Sequence, residues 1–303
     1  MTATPNYEQI ISASERVTWK IDEVIPLNKP LDFSKPFLPE SLVLSAEATF
    51  LTAPERLKLN QIRANSYAHL FQFVEEYIVA TCVQYASADV FGEEQGLRAM
   101  LRFAEEEVKH QLLFKRFLKV FAAGFATPVS GIPSQEAVAG VISSKSPMAV
   151  MAITLHLEVM TQQHYVQCVS NAEELDPTCK GMLKAHWMEE AQHAKLDAIT
   201  LRRLAQTATP EQRTLAVKEY LELIDALVGL LGQQAGLDIA SLETAIGKKF
   251  TDAEKKVLLE SQAKAYRQTF VTWGATNPTF VETMKDLFGD DAKAIDAKIS
   301  QLN

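Results

Sequence analysis

Beyond residue 50 the apolar positions recur at helical intervals, and no useful length of chain alternates apolar and polar residues as a half-buried strand would. Capping signals divide this pattern into elements. Thr52-Ala-Pro-Glu55, Thr209-Pro-Glu-Gln212 and Thr251-Asp-Ala-Glu254 are capping boxes, in which two side chains satisfy backbone N–H groups left free at a helix start. Ser146-Pro147 and Asp176-Pro177 place a capping residue before a proline, whose missing N–H is no loss in a first turn. These signals predict long helices over 53–88, 93–123, 147–172, 177–208, 210–233 and 252–274, and shorter ones over 239–247, 279–288 and 292–301. Pro26, Pro30, Pro36 and Pro39 interrupt any helical period in residues 1–50, which read as an arm packed on a larger body. The expected fold is all-α. It is a single domain over 1–303, with a core over 51–208 and accessory helices over 209–303.

Composition narrows the function classes. Gly and Pro number 12 each in 303 residues, so turns are scarce and elements long. The net charge of −8, with acids and bases interspersed, gives nucleic acid no electrostatic footprint. No apolar run is long enough for a membrane span, and the N-terminus lacks the pattern of a secretory signal. Cys82, Cys168 and Cys179 have no metal-type spacing and suit a reducing compartment, so a cytoplasmic location is expected.

Six His stand among 38 acidic residues, and their positions matter more than their number. Glu107-Val-Lys-His110 and Glu190-Ala-Gln-His193 each put a carboxylate and an imidazole on one helix face. One such match is weak evidence, because chance supplies it easily. The register is stronger evidence. Glu76 precedes Glu107 by 31 residues and Glu158 precedes Glu190 by 32, so the triplet 76, 107, 110 recurs at 158, 190, 193. Each helix pair then carries one Glu on its first helix and Glu-x-x-His on its second, the donor set of a dinuclear carboxylate site inside a four-helix bundle. Counted from each connecting turn, all four glutamates stand about 20 Å away at 1.5 Å per residue, hence at one height. The two pairs are joined by about 23 residues around Gly124, Pro128 and Pro133, long enough to cross the bundle as in ferritin-like folds. The first-helix carboxylate is Glu75 or Glu76; the 31-residue spacing and the Glu76-Tyr77 pair favour Glu76. His186 lies four residues before Glu190 and seven before His193, on the same stripe, which makes it a candidate seventh ligand. His156 and His164 are off the ligand faces and read as structural. His69 shares the stripe of Glu76, seven residues before it, where it could support a ligand but reads better as a core or surface histidine. The run 105–107 reads as solvated apart from Glu107. Oxygen and nitrogen donors of this kind suit two iron ions, or a manganese–iron pair.

His186-Trp-Met-Glu-Glu-Ala-Gln-His193 resembles a segment of the p-aminobenzoate N-oxygenase family of ferritin-like non-haem di-iron oxygenases. Phe103-Ala-Glu-Glu-Glu-Val-Lys-His110 and Leu155-His-Leu-Glu158 are similar to its second- and third-helix motifs. Gln192 departs from the arginine usual there. The resemblance spans about residues 60–200. It implies two irons with O2 as co-substrate, bridging Glu107 and Glu190, terminal Glu76 and Glu158, one nitrogen per iron from His110 and His193, and a third nitrogen from His186. It also implies oxidation of a small-molecule substrate, an arylamine in that family. The electrons would come from an external donor, a reductase or ferredoxin, since the chain has no flavin fingerprint or iron–sulfur cysteine set. A homodimer is the base-rate assembly. Other readings of the same scaffold are iron storage and another di-iron oxidase of desaturase or aldehyde-deformylating type.

Overall fold

The computed structural model describes residues 6–90, 92–132 and 135–302. Residues 1–5 of the expected arm, and Pro133 and Ser134 of the expected crossover, lie outside the described residues. Helices of nine residues or more are α1 (Tyr7–Arg16), α2 (Ala53–Asp89), α3 (Glu94–Gly124), α4 (Gln135–Ser143), α5 (Pro147–His164), α6 (Pro177–Thr207), α7 (Pro210–Ile246), α8 (Asp252–Arg267), α9 (Pro278–Phe288) and α10 (Lys293–Leu302). No strand occurs among the described residues. The molecule is an all-α, ferritin-like four-helix bundle with added N- and C-terminal helices.

Helices α2 and α3 form one hairpin and α5 and α6 the other, and the two hairpins pack into the bundle. Their starts follow the capping rules. Glu55 Oε2 accepts from the Thr52 backbone N–H at 2.7 Å, and the Thr52 hydroxyl accepts from Glu55 N–H at 3.4 Å. Asp176 caps α6 by accepting from Cys179 N–H at 2.7 Å, and its other oxygen accepts from Asp32 N–H at 2.9 Å, which pins the arm to the bundle. At Ser146 the helix starts as expected, but the hydroxyl makes no cap bond; its N–H donates instead to Glu219 at 2.8 Å.

Three elements differ from the sequence expectation. The arm contains α1, whose buried Tyr7, Ile10, Ile11 and Ser14 repeat at helical spacing in the proline-free stretch between Pro5 and Pro26. The crossover is not all loop: α4 lies in it and packs on α2. The predicted helices over 210–233 and 239–247 are one helix, α7, ending at Gly247 with φ of 65°. Gly232 and Gly236 inside it meet nothing where a Cβ would stand, so neither marks a break.

Helix α5 widens into a π turn at Tyr165–Val169, and α8 into another at Gln268–Trp273. In the second, the Phe270 carbonyl accepts from His156 Nε2 at 2.9 Å, while the Tyr220 hydroxyl lies 2.7 Å from His156 Nδ1. Burial pushes the His156 pKa down to about 4, so the ring is neutral at pH 7 and can donate at Nε2 while accepting at Nδ1. A Cβ at Gly274 would overlap this ring.

Candidate metal centre

The bundle interior brings together six of the seven residues expected from sequence. Glu107, His110, Glu158, His186, Glu190 and His193 are all buried. Glu107, His110, Glu190 and His193 offer donor atoms within 4.8 Å of one another, and so do Glu75, His110, His186 and Glu190. His110 and Glu190 belong to both groups, so the two groups adjoin. Glu158 reaches the same space, with Oε2 3.9 Å from His193 Nδ1.

Glu76 does not point there. Its side chain is 29% exposed, with Oε1 3.9 Å from Lys115 Nζ and 3.3 Å from Gln72 Nε2. Glu75 takes the place expected for it: its side chain is 3% exposed and Oε1 lies 3.1 Å from His186 Nε2. The reason is helix phase. Tyr67, Phe71, Ile78 and Cys82 form the buried stripe of α2, and Glu75 falls on it, four residues after Phe71 and three before Ile78. Glu76 is turned about 100° away. That apolar stripe was legible in the sequence and points to Glu75, and so does strictly equal spacing: Glu75 precedes Glu107 by 32 residues, as Glu158 precedes Glu190, whereas Glu76 precedes Glu107 by 31.

Two further carboxylates escaped the sequence reading. Glu106 and Glu189, each just before a cluster glutamate, are buried rather than solvated. His193 Nε2–H donates to Glu106 Oε2 at 2.9 Å, and His110 Nε2–H donates to Glu189 Oε2 at 3.0 Å. Each Glu-Glu-x-x-His segment thus straps the histidine of the other. Both imidazoles are fixed with Nδ1 turned inward, and a carboxylate on the far nitrogen raises their basicity. Glu106 is held in turn by the Ser14 hydroxyl of α1 at 2.5 Å, and Ser14 accepts from Arg102 Nε at 2.6 Å. Glu189 is paired with Lys109, whose ammonium stands over the Trp19 ring at 4.3 Å. Trp19 lies parallel to His110 with ring centroids 6.2 Å apart. The arm therefore covers the outer side of α3 and α6. His186 has no strap; Phe71 and Phe114 pack against its ring, each with centroids 5.0 Å away.

The inward atoms are short of partners. Both Glu107 oxygens, His110 Nδ1, Glu158 Oε2, Glu190 Oε1 and His193 Nδ1 are buried and face only one another, as charge pairs rather than well-formed hydrogen bonds: His193 Nδ1 lies 2.8 Å from Glu107 Oε1, and His110 Nδ1 3.3 Å from Glu190 Oε1. Buried ionisable atoms crowded in this way are costly unless something between them balances their charge. The donor chemistry, carboxylate oxygen and imidazole nitrogen only, fits iron or a manganese–iron pair. A site for such a dinuclear centre is present.

The electrostatics of the bare cluster agree. Burial alone would push Glu107 up, but His193 and His110 outweigh it and hold the pKa below the ordinary value. Burial would likewise lower His110, yet Glu107, Glu189 and Glu190 carry it up to about 9. Glu158 is pushed well above the carboxylate range by burial, then by Glu190 and Glu107. Protons on these groups stand in for positive charge, so metal loading must displace them.

The remaining histidines stand apart. His156 is held in the accessory-helix contact described above. His164 Nδ1 lies 3.0 Å from the Thr161 carbonyl, and His69 packs against Gly131. Cys82, Cys168 and Cys179 are free thiols. No helix among the described residues is long and apolar enough to cross a membrane.

The family model described as P-aminobenzoate N-oxygenase AurF matches residues 5–282. Among solved structures, an R2-like ligand-binding oxidase with aerobically reconstituted Mn/Fe cofactor (long soak) superposes with a TM-score of 0.51 at 14% identity, covering 88% of this chain and 93% of that one. An R2-like ligand-binding oxidase with aerobically reconstituted metal cofactor after photoconversion gives a TM-score of 0.51, also at 14% identity and with 88% and 93% coverage. At such identity the likeness speaks for the fold alone. No curated protein matches the chain.

Proposed function

The chain belongs to the P-aminobenzoate N-oxygenase AurF family, and from that premise we propose that it is a di-iron oxygenase that uses O2 to oxidise a small organic molecule, by N-oxygenation of an arylamine. The observation that carries this reading is the convergence of buried carboxylate and imidazole donors from four helices on one interior space, in two adjoining groups that share His110 and Glu190, with Glu158 beside them. Glu75, Glu107, His110, Glu158, His186, Glu190 and His193 would hold the two ions, with Glu190 and His110 common to both four-residue groups. When bound, reduced iron supplies the electrons and open coordination positions that O2 needs. A manganese–iron pair would suit the same donors.

The chain's own residues act around that chemistry. Glu106 and Glu189 hold the outer nitrogens of His193 and His110, so both rings present Nδ1 inward without rearrangement. Lys109 balances the Glu189 charge. Ser14 and Trp19 of the arm close the outer side against water. Electrons for repeated turnover would come from a separate reductase or ferredoxin.

Metal analysis after anaerobic reconstitution with Fe(II) tests the reading. About two ions per chain are expected, with O2 uptake stimulated by arylamines, and His193→Ala should lower the loading sharply. Loading near zero in the wild-type protein sinks the assignment. Iron in the hundreds per assembly would favour storage instead.

A further inference from the structure

A cavity of about 280 Å³ lies against the other side of the bundle, between α2, α4, α5 and α7. It lies on the faces of α2 and α5 next to those that carry Glu75 and Glu158. Val74 in its wall immediately precedes Glu75, and Leu157 immediately precedes Glu158. Tyr77 stands between the two: its ring lines the cavity, its hydroxyl is 3.4 Å from Thr154 on α5, and, after burial, the nearby Glu158 charge helps to push its pKa up. The solvent end is marked by Val141, Ala226 and Gly229, which line the cavity and are exposed.

The chemistry of the wall selects its occupant. Among the described residues, no Arg, Lys, His, Asp or Glu lines the cavity, and Tyr77 and Gln233 are its only polar side chains. A carboxylate entering it would lose its hydration and find no cation in return, the most unfavourable way to bury a charge. Size narrows the class further. An apolar cavity of roughly 150 Å³ takes up one benzene, so this one suits about two fused rings or a chain of equal bulk.

We propose that this cavity is the substrate site, and that the substrate is an uncharged, apolar molecule of about bicyclic aromatic size rather than a carboxylated arylamine such as p-aminobenzoate. The word substrate rests on the oxygenase reading above; the binding itself rests on the cavity alone. Glu75 and Glu158 belong to the two bundle helices that line it, which leaves the approach to the centre from this side free of the strapping carboxylates.

Calorimetric titration of the metal-loaded, full-length protein tests this with two probes: 1-aminonaphthalene, uncharged at neutral pH, and p-aminobenzoate, an anion. The expected result is one 1-aminonaphthalene per chain, with p-aminobenzoate weaker by roughly tenfold or more. Two variants, Gly229→Leu and Leu227→Trp, add bulk at the cavity on α7, a helix that carries no candidate ligand. Gly229 is solvent-facing within a helix, and a Cβ there meets nothing within 4 Å, so the fold tolerates the first change. Each should weaken 1-aminonaphthalene by roughly tenfold while the metal content stays that of wild type. Equal or tighter binding of p-aminobenzoate, or 1-aminonaphthalene binding that neither variant alters, overturns the proposal. Metal content measured on the same samples separates the two readings. Two ions with no 1-aminonaphthalene bound overturns the cavity assignment alone, whereas 1-aminonaphthalene bound without metal uptake overturns the oxygenase reading alone.

Discussion

The two sides of the bundle solve opposite problems with similar helices. On the α3 and α6 side His110 and His193 are each backed by a buried carboxylate, and that carboxylate by Ser14 or Lys109. On the α2 and α5 side, Glu75 and Glu158 come from helices whose flanks line an apolar cavity. The first side fixes geometry, because a strapped imidazole cannot turn. The second leaves room, because aliphatic and aromatic walls make no demands on what enters except that it be uncharged. A site that must hold metal tightly and still admit a substrate gains from keeping these tasks on separate faces.

The comparison breaks most visibly at the first helix. Glu75→Ala should lower metal loading from two ions towards one per chain, while Glu76→Ala should leave it unchanged, as measured by elemental analysis. If Glu76→Ala is the variant that loses metal, α2 turns Glu76 inward and Glu75 away. The straps come next. Glu106→Ala and Glu189→Ala should each weaken metal affinity by about 10–100-fold, and neither should disturb 1-aminonaphthalene binding. Loss of probe binding in either would show that the two faces are not separate. The smallest effect is expected at the arm: Ser14→Ala removes one hydrogen bond to Glu106 and should destabilise the protein by about 1 kcal/mol in thermal unfolding. An unchanged midpoint would mean that α1 covers Glu106 without holding it.

Much of this was written locally. The capping boxes at Thr52, Thr209 and Thr251 place three helix starts, because a cap is a matter of four consecutive residues. The two Glu-x-x-His segments and His186 announce a cluster, because i, i+3 and i, i+7 share a helix face whatever surrounds them. Glu106 and Glu189 were not legible in the same way. As neighbours of cluster residues they sit on the next face of the helix, and only the packing of α3 against α6 decides that this face is buried and meets a histidine. Helix α7 hides for a related reason: Gly232 and Gly236 weaken its helical signal, and contacts with α2 and α5 carry it through.

By itself the sequence determined an all-α chain, the order of its core helices and a repeated donor motif, since these depend on periodicity and short-range geometry. Tertiary structure decided which acids brace the histidines and where the apolar cavity opens, and it settled the turn of Glu75 rather than Glu76 inward, to which the apolar stripe of α2 already pointed. Each of those depends on how one helix is rotated against another, and a rotation of one residue, about 100°, exchanges a buried carboxylate for a solvated one.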